Sequence, residues 1–325
     1  MRIDERVVSS INERVLCLNC SQSSLHFEDS KIVCKNCATE YPVVGDVPIL
    51  LKAENKIFPT QEFLADSPKS DALVKRRMIA MVGKFIPSIS VNLSSNRCIK
   101  RYAELLAGEP QALILVVGGG KQREWLDKRF VAYPNVRLIY TDIDRDALVD
   151  YICDAHDLPF LENTFDGVIT TAVLQHVLYP ERAIAEIHRV LKHSGLIYSE
   201  FAFMQQVIEG AYDFTRYSLS GHRRVFNYFD EIDSGLVAGP ATVMVWSIEN
   251  FLLAFFNKKF VRLAVKSLVR LMFFWIKYFD YLLKASPAAI DGASCTYFLG
   301  RKRIDKIPDL EIIKRYSGAK HLEHM

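Results

Sequence analysis

The chain has 325 residues, half of them apolar and 24% charged; this excludes a disordered or fibrous polymer and leaves room for one large domain plus a small one. A formal charge of +3 is nearly neutral, so the total demands no nucleic-acid partner. Seven cysteines, four of them in two C-x-x-C pairs, and an opening MRIDERVVSSINERV without an apolar run give the expectation of a reducing, cytoplasmic setting with a metal site rather than an exported disulfide framework.

Residues 1–54 form the first unit. Cys17 and Cys20 are followed, thirteen residues later, by Cys34 and Cys37. Two such knuckles can set four thiolates tetrahedrally around Zn²⁺, and four sulfurs leave no open position, so the zinc is expected to be structural. A unit this short buries little core, and a metal offsets that deficit. Residues 55–108 read as a linker and helical lead-in, with a helix expected over 72–82. From residue 111 the pattern changes. ALILVV is a continuous apolar run, as in a strand buried on both faces of a parallel sheet. A turn with Gly118, Gly119 and Gly120 and a helix over 122–130 follow, then the strand VRLIYTDID, the strand FDGVITTA and the helix PERAIAEIHRVLK. GLIYSEFAF (195–203) is a further strand, and 231–239 and 293–302 are the last two. Strands alternating with helices predict an α/β, doubly wound Rossmann-like sheet over 109–303, with residues 304–325 as a tail.

Glycines after a first strand let a backbone approach a ligand, and the helix that follows offers free N–H groups. Asp142, at the end of the second strand, is an acid able to accept both hydroxyls of a ribose. These features are shared by nicotinamide and S-adenosylmethionine (SAM) enzymes. The third glycine of the nicotinamide fingerprint is absent, since Arg123 stands there.

The segment CDAHDLPFLENTFDGVITTAVLQHVLYPERAIAEIHRVLKHSGLIY resembles the class I SAM-dependent methyltransferases of small-molecule type, over about residues 112–203. The resemblance implies the methyltransferase variant of the Rossmann-like sheet, with SAM lined by Gly118, Gly119 and Gly120. It implies Asp142 at the ribose, Asp154 and Ala155 at the adenine, and Thr171 beneath the methionine part. Two positions depart from the family: Val116 stands where an acid is usual, and Gln122 replaces the third loop glycine. The segment CLNC…VCKNCATEYPVVGDVPILL is similar to the zinc-ribbon family that activates certain RNA and translation-factor methyltransferases as a separate subunit, here supplied in the same chain.

After the fifth strand, FMQQVIEGAYDFTRYSLSGHRRVF should roof the pocket, because ligands of open α/β sheets sit at the carboxyl ends of the strands. Its Glu209, Asp213, Arg216, Tyr217, Ser218 and Gly221 resemble a pattern of methyltransferases found with polysaccharide and envelope enzymes. Asp213, Arg216 and Tyr217 are thereby substrate candidates, and Asp213 and Arg216 have the alternative of pairing with each other. Ser220 is the expected cap of the next helix. His176 and His222 are the candidate general bases for an oxygen acceptor. No N/D-P-P-[YFW] motif occurs, so no DNA partner is expected.

Within an insert over about 241–287, residues 246–284 carry seven cations against Glu249 and Asp280. Arg262, Lys266 and Arg270, spaced by four, form a basic stripe on one helical face. Two readings stay open: a membrane-surface helix with its cations toward anionic headgroups, or a helical hairpin packed on the domain. The sequence therefore predicts a cytoplasmic SAM-dependent methyltransferase, peripheral to the membrane in the first of these readings, acting on an oxygen of a glycan, a lipid-linked sugar or a related metabolite. The alternatives are a catalytically weak SAM-binding module and a methyltransferase of RNA or a translation-related protein.

Overall fold

The computed structural model describes residues 11–64 and 86–320; the helix expected over 72–82 lies outside them. Residues Leu25–Phe27 (β1), Lys31–Cys34 (β2), Glu40–Val44 (β3) and Val47–Leu50 (β4) make an antiparallel run that carries the four cysteines. A short helix, Thr60–Leu64 (α1), and the helix Ser95–Leu106 (α2) lead to the central strands. Those are Ala112–Val117 (β5), Val136–Asp142 (β6), Tyr151–Cys153 (β7), Phe165–Thr171 (β8), Leu191–Ala202 (β9), Phe229–Ala238 (β10) and Cys295–Lys302 (β11). Helices Arg123–Phe130 (α3), Pro180–Val190 (α4) and Leu219–Val225 (α5) connect them.

The strand order is β1-β2-β3-β4-β7-β6-β5-β8-β9-β11-β10. From β7 to β9 the pairing is parallel, and β11 runs antiparallel to both β9 and β10. This is the α/β Rossmann-like sheet of the methyltransferase fold. The order reverses at β5, which places a crevice at the carboxyl ends of β5 and β8. Alternate residues of β5 face opposite cores, as the continuous apolar run requires. Leu115 and Val117 pack with Val168 and Ile197, whereas Ile114 and Val116 pack with Ile99 and Tyr102 of α2.

The cysteine unit joins the central sheet rather than hanging from a linker. β4 pairs in parallel with β7, Ile49 opposite Ile152 and Leu50 opposite Cys153. Val15, Cys17, Ile32 and Tyr41 share one apolar core with Leu115 and Phe160.

The start of α5 corrects one expectation. Its cap is Ser218, whose hydroxyl accepts from the Gly221 N–H at 3.2 Å, so Ser220 lies inside the helix. The insert forms Pro240–Leu253 (α6), Lys259–Phe273 (α7), a 3₁₀ turn Phe274–Tyr278 and Phe279–Leu283 (α8). Among the described residues no helix is long and apolar enough to cross a membrane. One buried carboxylate ties the insert together. Asp280 of α8 accepts from the N–H groups of Gly239, Ala241 and Thr242 at 3.1, 2.8 and 3.0 Å, capping the start of α6. Asp280→Ala strands those donors away from water, and a loss of about 2–4 kcal/mol in chemical denaturation is expected.

Candidate functional site

A cavity of about 970 Å³ opens over the carboxyl ends of β5, β6 and β8, a volume suited to a nucleoside cofactor together with part of an acceptor. Gly118, Asp142, Asp154, Ala155, Thr171 and His176 all line it. Gly118 has φ +68°, and a Cβ there would lie 2.3 Å from the Val173 side chain, so the turn requires glycine. At Gly120 a Cβ would meet that of Ala147 at 2.2 Å. The Gly120 N–H donates to Asp142 Oδ2 at 3.1 Å, while Asp142 Oδ1 accepts from Ile143 N at 2.8 Å and Asp144 N at 3.0 Å. Oδ1 thus has both its acceptor positions filled, whereas Oδ2, with a single donor, keeps one for a ligand. Gly119 is turned away from the cavity lining, its Cα packed over Val116 and Tyr140.

The two departures from the family pattern have structural roles. Val116, 1% exposed, fills the space beneath Gly119. Gln122 bridges the loop to β8: its amide donates to Thr171 O at 3.0 Å, and its carbonyl accepts from the Thr171 hydroxyl. The loop is thus held by a side-chain amide where the family has a glycine.

Asp154 is 8% exposed. Its Oδ1 accepts from the backbone N–H and Nδ1–H of His156 at 2.9 and 2.6 Å, and its Oδ2 accepts from Asn55 Nδ2 at 2.9 Å. Burial acts to raise this carboxyl, but the His156 bonds and the Asn55 amide outweigh it and hold the group below its ordinary range. His156 Nε2 accepts from Tyr179 N at 3.1 Å, which assigns the ring its neutral Nδ1–H tautomer.

Several wall residues come from stretches read as linker or loop. Ile57, Phe58, Glu62 and Phe63 line the cavity. Asn55 organises that segment, since its Oδ1 accepts from the N–H groups of Ile57 and Phe58 while its amide reaches Asp154. The Phe58 ring stacks on Tyr212 of the roof loop at 6.1 Å between centroids. An exposed ion pair, Lys121 to Glu209 at 3.4 Å, joins the roof to the glycine loop. Asn55 carries no sequence signal of its own; its place is set five residues beyond β4, by the pairing of that strand with β7.

The roof loop corrects the remaining candidates. Asp213 and Arg216 pair with each other, Asp213 accepts from Ile208 N at 2.8 Å, and Arg216 donates to the carbonyls of Gln205, Thr215 and Gln206. They order the loop and do not line the cavity. The Tyr217 hydroxyl donates to Glu181 at 2.9 Å, and its ring packs on Phe201, also outside the cavity. His222 is fully buried between Ser199 and Thr296, at 3.1 Å from each hydroxyl, and burial drives its imidazole down to about 3. It is a core residue with no access to an acceptor. His176 does reach the cavity. Its Nδ1–H donates to Tyr212 O at 2.8 Å, which leaves Nε2 as the basic nitrogen, beside the Gln175 amide at 3.4 Å. Gln175 is fully buried, lines the cavity, and its Oε1 has no hydrogen-bond partner among the described residues.

The four cysteines form a second cluster. Their Sγ atoms lie within 4.8 Å of one another, with Cys17 to Cys37 at 3.5 Å and Cys20 to Cys34 at 3.6 Å. Tetrahedral coordination with Zn–S bonds of about 2.3 Å puts sulfurs about 3.8 Å apart, so the donor set fits that ion. Both knuckles make the same turn. Ser21 and Ala38 have φ +58° and +56°, and their N–H groups donate to Cys17 O and Cys34 O at 2.8 Å.

Comparison with known proteins bears on the sheet. A family model described as "Methyltransferase domain" matches residues 115–199. The Neisseria gonorrhoeae (strain ATCC 700825 / FA 1090) protein named ubiquinone/menaquinone biosynthesis C-methyltransferase is 39% identical over 69 residues, covering 21% of this chain and 28% of that one. The protein of the same name from Desulfotalea psychrophila is 27% identical over 138 residues, covering 38% and 55%. The chain thus spans about half or less of the length of these relatives. Among solved structures, the Haemonchus contortus phosphoethanolamine N-methyltransferase 2 in complex with S-adenosyl-L-methionine aligns with TM-score 0.40 and 18% identity over 64% of this chain and 52% of that one. Residues 115–199 are accordingly a methyltransferase domain.

Two outcomes are expected. Asn55→Ala frees both the Asp154 carboxylate and the Phe58 wall, and nucleoside affinity should fall roughly tenfold in calorimetry, about 1.4 kcal/mol, with little change in melting temperature. For His222, the unfolded chain takes up a proton at the ordinary imidazole value and the folded chain does not. Its contribution to stability is therefore complete above about pH 6.5 and is lost as pH falls toward 3, by up to about 1.4 kcal/mol per pH unit. His222→Gln should flatten that part of a stability-versus-pH curve.

Proposed function

We propose that this chain, built on a SAM-dependent methyltransferase domain, transfers the methyl group of SAM to an oxygen of a glycan, a lipid-linked sugar or a related small molecule at the cytoplasmic side of a membrane. The observation that carries the reading is the convergence of Gly118, Asp142, Asp154 and Thr171 on one cavity, with His176 on the same wall. Asp142 would take the ribose hydroxyls, Asp154 and Ala155 the adenine, and Thr171 with Gln122 the methionine end. SAM supplies a methyl already activated on a sulfonium, so the protein's task is to align the acceptor and to remove its proton. His176 suits that second role, because Tyr212 O holds Nδ1–H and leaves Nε2 as the accepting nitrogen, engaged only by the Gln175 amide at 3.4 Å, a long contact that an acceptor hydroxyl would displace. The orphaned Gln175 Oε1 is an acceptor for a donor group on the substrate, since a buried carbonyl without a partner is costly to leave unmet.

A second reading is favoured by the short matches to C-methyltransferases of ubiquinone and menaquinone biosynthesis: the acceptor would be a carbon of a lipid-borne ring. The methylated product distinguishes the two, as an O-methyl is released by ether cleavage and a C-methyl is not. For the cysteine cluster we infer one structural Zn²⁺, held by Cys17, Cys20, Cys34 and Cys37, with no open position for chemistry.

Calorimetry with SAM tests the shared claim, and no binding at millimolar cofactor would overturn it. Asp142→Ala should weaken SAM by roughly tenfold to a hundredfold, as expected for loss of a charge-assisted pair of hydrogen bonds. Metal analysis should give about one zinc per chain. Chelation should lower the melting temperature and, through β4 and Asn55, the SAM affinity as well.

A further inference from the structure

The cations of the insert's basic stripe on α7 are engaged by the protein's own acceptors rather than left free for headgroups. Arg270 donates to Glu249 at 2.6 and 3.1 Å, and Lys266 lies 3.9 Å from the same carboxylate, which is 2% exposed. Arg262 donates to the carbonyls of Leu253 and Phe256 at 2.7 and 2.9 Å, and Lys277 donates to Ser88 O. The opposite face is apolar and open. Phe260 is 89% exposed and Leu282 77%, and between them stand Leu268, Leu271, Trp275 and Phe279, each about half exposed. Separations of eight and three residues keep Phe260, Leu268 and Leu271 on one side of α7, and exposed Trp275, Phe279 and Leu282 continue the apolar surface through the 3₁₀ turn and α8. Water gives no reason to present such a stripe, and a contiguous apolar patch marks an interaction surface.

Charge indicates what covers it. Glu249 and Asp280, the acids of the insert, are both buried, so no carboxylate shows on this surface. Lys258, Lys259 and Lys284 stand exposed at its two ends and make no ion pair among the described residues. A second copy of the chain would bring lysine against lysine. A leaflet of anionic lipid meets both needs, burying the aromatic and aliphatic stripe at the acyl boundary and pairing the lysines with headgroups. The exposed Tyr278 and Tyr281 rings, stacked at 6.4 Å, have the amphipathic character of interfacial residues. The roof loop continues the surface toward the cavity: Gln206 Nε2 donates to Ser247 Oγ of α6 at 3.1 Å, followed by exposed Val207 and by Ile208, which lines the cavity.

We propose that the outer face of the helical insert docks on an anionic bilayer surface and so sets the cavity mouth at headgroup level. The surface stands on its own observations; that an acceptor arrives from the bilayer rests on the methyl-transfer reading above. The test is co-sedimentation of the full chain with vesicles of phosphatidylglycerol and phosphatidylcholine, against phosphatidylcholine alone. Binding should require the anionic lipid and weaken with salt. The double variant Phe260→Ser, Leu282→Ser should bind roughly tenfold or more weakly. The triple variant Lys258→Glu, Lys259→Glu, Lys284→Glu should lose the preference for anionic vesicles. All substituted side chains are exposed, and unchanged SAM affinity and melting temperature verify that the variants fold. Absence of vesicle binding by the wild-type chain, or equal binding by the variants, overturns the proposal. So does a wild-type dimer in gel filtration that the Phe260→Ser, Leu282→Ser change makes monomeric without vesicle binding. SAM binding without vesicle binding removes the docking face and spares the methyltransferase; vesicle binding without SAM binding does the reverse.

Discussion

Two residue pairs across parallel strands, Ile49 with Ile152 and Leu50 with Cys153, hold the molecule's organisation together. They fuse the cysteine unit to the edge of the central sheet, so its apolar residues complete a core they could not form alone. They also fix where the chain goes next. Leaving β4 beside β7, the backbone must pass the loop that carries Asp154, because β7 ends there. Lys52 reaches Asp157 at 2.6 Å and Asn55 reaches Asp154, and the segment then turns to wall the cavity with Phe58 and Phe63. The four-cysteine cluster and the wall of the cavity therefore share one strand.

Much of the sheet could be read from the chain because burial on both faces leaves a distinct mark. ALILVV has no polar interruption, and its alternate residues do serve two cores. Glycine at 118 and 120 was equally readable, since backbone conformation and steric closeness leave few other residues possible. The roof and the insert were harder for a different reason. A sequence shows which side chains are charged but not which of them have found partners. Asp213 and Arg216 satisfied each other, His222 sank between two hydroxyls, and Arg270 spent its charge on a buried Glu249 twenty-one residues earlier. Asn55 was invisible because its importance depends on a strand pairing between distant residues, which no local pattern encodes.

The cavity rim is held by weak, exposed contacts and its floor by buried ones. Gln122 and Thr171 lock the glycine loop to β8, and His156 fixes Asp154 from within. Over the opening, the Phe58–Tyr212 stack and the Lys121–Glu209 pair are both partly in water, and exposed ion pairs contribute little. Such a division suits a site that must stay shaped while its contents are exchanged. The floor defines the geometry, and the rim can part at small cost.

The insert leaves and rejoins the sheet at almost the same place. The Ser294 N–H donates to Ala238 O at 2.9 Å, and Cys295 pairs with Ala238 across β10 and β11. Everything from Gly239 to Ala293 is thus a closed excursion from a hairpin whose register is already set by the strands themselves. The cost of closing such a loop grows only slowly with its length. The pairing of β10 with β11 therefore does not depend on the length of the excursion. Helices of another length or surface chemistry could occupy the same doorway while β10 and β11 keep their pairing.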